Sequence, residues 1–173
     1  MDSALGVRLW HRLSSSRRGL LPTAVSAFGI LCVGVIYLGL LSPESVNYDA
    51  TWYHLRIAQD YARWGRIRPF YDYSAIVPQL ASIVHTWGYL VPGLDGAPRW
   101  MMALHIEFAL FLWTLVGVAA GIQRLIGDFT LPATWASFFL FPIIFVYDSN
   151  IGGAADHVSA FFAMPVVLAT LRL

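Results

Sequence analysis

Four apolar runs divide the chain. The first, Leu20 to Leu41, holds 22 residues without a charge. At ~1.5 Å per residue it reaches about 33 Å as a helix, enough to cross a ~30 Å hydrocarbon core. It is longer than the ~7–15-residue apolar core of a cleaved signal peptide. Ser42-Pro43-Glu44 follows it with no Ala-x-Ala pattern, so it reads as an uncleaved signal anchor. The second run, Trp100 to Gln123, is also span-length but carries His105 and Glu107 near its start. The third, Leu131 to Tyr147, is interrupted by Pro142, and the fourth runs from Val158 to the chain end at Leu173 with Pro165 inside it.

The polar stretches between these runs set the expected topology. Arg8, Arg12, Arg17 and Arg18 precede the first span against one acid, Asp2, which places residues 1–19 in the cytoplasm. Residues 42–99 then form a first outer loop, 124–130 a cytoplasmic turn, and 148–157 a second outer loop with two acids and no base. The predicted spans are 20–41, 100–123, 131–147 and 158–173.

The first outer loop is too long for a simple connection, and loops of this size are usually functional. From Ala50 to Trp64 the residues Tyr53, Ile57, Tyr61 and Trp64 recur at helical spacing, with Arg56, Gln59 and Arg63 on the opposite side. Trp52 breaks the pattern. Asp49 stands where an N-cap belongs and Gly65 where a helix ends. A second helix is predicted over Pro78–Tyr89, with Leu80, Ile83, Val84 and Trp87 on one side. The Trp and Tyr content favours the headgroup region, so both helices are expected to lie in the outer interface. The sequence thus predicts an all-α polytopic membrane protein: about four transmembrane helices and two amphipathic interfacial helices.

Composition narrows the function classes. Hydrophobic residues make up 58 % of the 173 residues and charged residues 12 %, with a mean hydropathy of +0.62. Soluble domains carry roughly twice that share of charge. The net charge of +1 lacks the basic footprint of a nucleic-acid binder. The lone cysteine, Cys32, removes any disulfide framework or cysteine-based zinc site.

The candidate chemistry lies in the two outer loops. Asp49 can act as a general base for a hydroxyl arriving from outside, or as an N-cap. Asp156, in Gly152-Gly153-Ala154-Ala155-Asp156-His157, carries the same two readings. Topology places both acids on one side at one depth. Together with His157 they leave room for a divalent metal, although the spacing matches no metal motif. Arg56, Arg63, Arg66 and Arg68 would meet a lipid phosphate at headgroup level or serve as interfacial anchors. Glu107, an acid within a span, is a functional candidate by position, with a structural role near the outer interface as the equal alternative. Gly117 and Gly121 form a close-packing pair.

These features resemble the start of the GT-C glycosyltransferases, multi-span enzymes that include protein O-mannosyltransferases and aminoarabinose transferases. The likeness rests on Asp49-Ala-Thr-Trp-Tyr53-His54-Leu55 with Ala62-Arg63-Trp64-Gly65-Arg66-Ile67, on Val77-Pro78-Gln79-Leu80, and on Gly153-Ala-Ala-Asp156-His157-Val-Ser-Ala-Phe161-Phe162. It implies Asp49 as the catalytic carboxylate, with Asp156 holding the acceptor or a metal. Tyr53, His54, Arg56, Arg63, Arg66 and His157 are expected around the substrates. The implied donor is a polyprenyl-phosphate sugar, the acceptor a glycan, lipid or protein, and the site a bacterial plasma membrane. Many members carry a second acid directly after the first; here that residue is Ala50. The chain also ends within its fourth run, so it reads as the N-terminal part of a longer enzyme, inactive alone. The competing expectation is a non-enzymatic membrane scaffold or transporter subunit, assembled through Gly117 and Gly121.

Overall fold

A computed structural model describes residues 20–42, 46–71, 79–126, 152–153 and 155–170. The third predicted span, the basic N-terminal tail and the Val77-Pro78 pair lie outside the described residues. Every regular element among the described residues is helical. Helix α1 runs Leu20–Leu40. A π-helical turn, Ala50–His54, leads directly into α2, Leu55–Trp64. Helix α3 is Leu80–Tyr89, α4 is Ala97–Ile126, and α5 is Asp156–Thr170.

Helix α4 is the axis on which the rest is built. Its 30 residues reach about 45 Å. Pro98 falls in its first turn, where a missing N–H costs no helical bond. Among the described residues, its segment Ala97–Val118 is the helix long and apolar enough to cross a membrane. The apolar stretches Ala27–Leu40 of α1 and Asp156–Thr170 of α5 are shorter. Leu104, Phe108, Phe111 and Leu115 of α4 enclose Leu40 at the end of α1, with Val33, Ile36 and Val46 packed around them. On its other side α4 meets α5. Gly117 and Gly121 lie in ordinary contact with Met164 and Leu168 of α5, so this glycine pair packs within the chain.

Helix α2 follows its sequence pattern. Ile57 and Tyr61 are buried, whereas Arg56, Gln59 and Arg63 are exposed. Gly65 ends it at φ +61, the left-handed conformation that a helix-terminating glycine supplies. Helix α3 presents the opposite face from the one its apolar stripe predicts. Leu80 and Trp87 point outward, Trp87 with 67 % exposure, and the buried residues are Ala81, Ser82, His85 and Gly88. The cause is backbone approach: a Cβ on Gly88 would lie 2.5 Å from the Ala103 nitrogen of α4. Small residues must therefore face α4, and the large apolar ones are turned away.

Candidate functional site

The loops carrying the two acids are tied together. The Asn47 N–H donates to the Gly152 carbonyl at 2.9 Å. Gly153, at φ +91, brings its backbone so close to Ala50 that an added Cβ would lie 2.7 Å from the Ala50 side chain. Ala50 is fully buried there. A carboxylate at this position would sit unsolvated against the Gly153 backbone.

Neither acid is a cap. Asp49 has helical angles, φ −63 and ψ −34, and its carboxylate makes no capping bond. The helix already begins before it, because the Thr51 N–H donates to the Asn47 carbonyl. At Asp156 the first helical bond runs from the Ser159 N–H to the Ala155 carbonyl, which makes Asp156 a first-turn residue. A carboxylate there is favoured by the positive end of the helix dipole. Both acids are exposed.

Between them and the core sits His54, only 2 % exposed. It shares a 3.0 Å hydrogen bond through Nδ1 with Ser82 Oγ, and its ring lies edge-on to Tyr53. Burial holds its imidazole below the usual pKa, against the opposing pull of the Asp49 and Asp156 carboxylates. One buried ring thus feels the charge of both acids.

Beneath His54 lies a buried polar cluster. Glu107, fully buried on α4, accepts the Gly153 N–H on Oε2 at 2.7 Å and meets His157 Nδ1 through Oε1 at 3.0 Å. His85 Nε2 stands 3.8 Å from Glu107 Oε2, and neither His85 ring nitrogen has a hydrogen-bond partner among the described residues. Burial, reinforced by nearby His54, pushes the His85 pKa down to about 4. His85 is therefore neutral at pH 7, and its contact with Glu107 is not an ion pair. His105 belongs elsewhere: its ring meets the Met101 carbonyl and the Tyr37 hydroxyl, toward α1.

On the solvent side an open groove of about 370 Å³ adjoins the π-helical turn. Thr51, Arg56 and Gln59 form its polar wall, and Val46, Leu55, Tyr89 and Trp100 the remainder. Burial pushes the Tyr89 phenol up to about 12, so it remains a neutral donor. Arg63 and Arg66 are exposed further along, and the Arg68 guanidinium lies 5.3 Å over the Trp64 ring.

Among the expected substrate residues, Asp49, Arg56 and Asp156 are exposed and Tyr53 is half-buried. His54 and His157 are buried instead. The divalent-metal expectation does not fit this arrangement. His157 is turned to Glu107, and no group of three His, Cys, Asp or Glu among the described residues could hold a metal ion. Sequence reasoning missed Ser82 and His85. Their signal was a polar stripe, spaced three apart, on an otherwise apolar helix. No protein-family model, curated protein or solved structure matches the chain.

Proposed function

We propose that the chain is part of a membrane enzyme of the GT-C type, transferring a sugar from a polyprenyl-phosphate donor to an acceptor hydroxyl at the outer face. The observation that carries this reading is the tie between the loops of Asp49 and Asp156: the Asn47 N–H bonds the Gly152 carbonyl, and Gly153 packs against Ala50. Two exposed carboxylates above a buried polar floor are suited to orienting and deprotonating a hydroxyl. Arg56, in the adjoining groove with Tyr89 and Trp100, offers a cation beside an apolar wall, as a phosphate on an isoprenoid tail requires.

In this scheme the Asp49 carboxylate takes the proton of the acceptor hydroxyl. The hydroxyl oxygen forms a bond to the anomeric carbon as the bond from that carbon to the phosphate oxygen breaks. Polyprenyl phosphate leaves with the bonding pair, and the anomeric centre is inverted. Placement in a membrane, with several spans and a cytoplasmic N-terminus, is part of the proposal. It draws support from the lipid-compatible surfaces: Ile30, Leu31, Val35 and Leu38 of α1, Trp113 and Val116 of α4, and Val166 of α5 are all exposed.

The test is a transfer assay in membranes from cells expressing the whole reading frame, using a panel of radiolabelled polyprenyl-phosphate sugars. Wild type is expected to transfer label from at least one donor. Asp49→Asn is expected to lower turnover by about 10²–10⁴, the usual worth of a general base. Undiminished turnover in Asp49→Asn removes Asp49 as the base, and absence of transfer from every donor removes the enzyme reading.

A further inference from the structure

Glu107 is fully buried on α4 and holds the turn at which Asn47 and Ala50 meet Gly152 and Gly153. Its Oε2 accepts from Gly153 N–H, and its Oε1 meets His157 Nδ1, one on each side of Asp156. The neighbouring Gly152 carbonyl accepts from Asn47, two residues before Asp49. A carboxyl group this deeply buried carries a large desolvation cost, which its two close partners reduce in part. A buried acid with both oxygens engaged on one turn has a geometric role that an apolar residue could not fill.

We propose that Glu107 is a positioning residue: from α4 it clamps Gly153 and His157 and so sets the places of both Asp156 and Asp49. The clamp rests on the enzyme reading only for its catalytic consequence; its structural part is independent. The groups facing Glu107 are His85 from α3 and His157 with Asp156 from α5, and His54 lies beyond His85. Because His85 is neutral near pH 7, the clamp depends on hydrogen-bond geometry more than on an ion pair with α3.

Glutamine can preserve that geometry. Its Oε1 accepts from Gly153, and its Nε2 donates to His157 Nδ1 once that imidazole takes the other tautomer. Alanine preserves neither bond. The experiment is amide hydrogen exchange over residues 152–158, with donor kinetics, on wild type, Glu107→Gln and Glu107→Ala in detergent. Glu107→Ala is expected to accelerate exchange by about tenfold or more, the loss of one to two charge-assisted bonds. Its kcat falls while the donor KM holds, because Arg56 and the groove are untouched. Glu107→Gln is expected to keep exchange within about twofold of wild type and to recover most of kcat. If Glu107→Ala does not accumulate, His157→Ala, which removes one of the two bonds, is expected to give an intermediate acceleration. Wild-type exchange rates in Glu107→Ala, or in His157→Ala where it stands in, overturn the proposal. So does equal loss in the Gln and Ala variants. Faster exchange in Glu107→Ala without sugar transfer in wild type supports the clamp and removes the enzyme reading instead.

Discussion

The Ala50 side chain occupies the space into which a Cβ on Gly153 would project, with 2.7 Å between them. Gly153→Ala therefore meets two penalties, the left-handed φ of +91 and the collision. The first costs roughly 1–2 kcal/mol and overpacking another 1–3. Gly93, at φ +79 with open space around it, supplies the control. Unfolding in detergent is expected to show Gly153→Ala losing clearly more stability than Gly93→Ala. Equal losses contradict the close docking of the two loops.

A second pair of glycines separates backbone approach from ordinary packing. A Cβ at Gly88 would strike the Ala103 backbone at 2.5 Å, whereas at Gly117 it would rest 3.7 Å from Met164. Gly88→Ala is expected to force α3 off α4 and to destabilise by more than about 2 kcal/mol. Gly117→Ala is expected to be neutral or slightly stabilising, since alanine favours helix by about 1 kcal/mol. Thermal unfolding of the two variants side by side checks the difference.

These two tests also mark what could be read from the sequence. The spacing of Ile57, Tyr61 and Gly65 placed α2 and its end, because an amphipathic helix with one buried face writes its own period. The same logic failed at α3. An apolar stripe reports a face that leaves water, but in a chain with so much exposed apolar surface that face need not be the one that packs. Leu80 and Trp87 face outward, and the packed residues are those small enough to let Gly88 meet Ala103. The capping expectation at Asp49 failed for a related reason: the π-helical turn moves the helix start back to Asn47, and no local composition signals that insertion. Glu107 stood out in the sequence as an acid within a span, but its partners at Gly153 and His157 are 46 and 50 residues away and only tertiary structure brings them together.

The buried His85 gives the protein a defined pH response. Its pKa falls from 6.5 to about 4 on folding, so between those values the unfolded chain binds a proton that the folded chain does not. Stability is full above pH 6.5 and declines as pH falls, by about 3 kcal/mol once pH is below the folded pKa. His54, also lowered by burial, acts in the same direction. His85→Leu removes a ring whose nitrogens have no hydrogen-bond partner, and so leaves none orphaned. It is expected to keep stability at pH 7 and to flatten the loss between pH 6.5 and 4. An unchanged pH profile in the variant contradicts this assignment.

Ser82 has the converse role. It supplies the hydrogen bond at His54 Nδ1 within a buried pair. Ser82→Ala is expected to cost about 1–3 kcal/mol by leaving a buried nitrogen unpaired. Ser82→Thr, which keeps the hydroxyl, is expected to cost less. Denaturant midpoints for the three proteins provide the comparison.

The central claim is that residues from both ends of the chain build one acidic site, and cross-linking addresses it most directly. With Cys32 replaced by alanine, cysteines at Asp49 and Asp156 are treated in native membranes with a short thiol-to-thiol reagent. Arg63 paired with Asp156 serves as the control, since Arg63 lies near the far end of α2. The account predicts rapid intramolecular cross-linking of the 49–156 pair and little of the 63–156 pair. Equal or absent reaction in both pairs contradicts it.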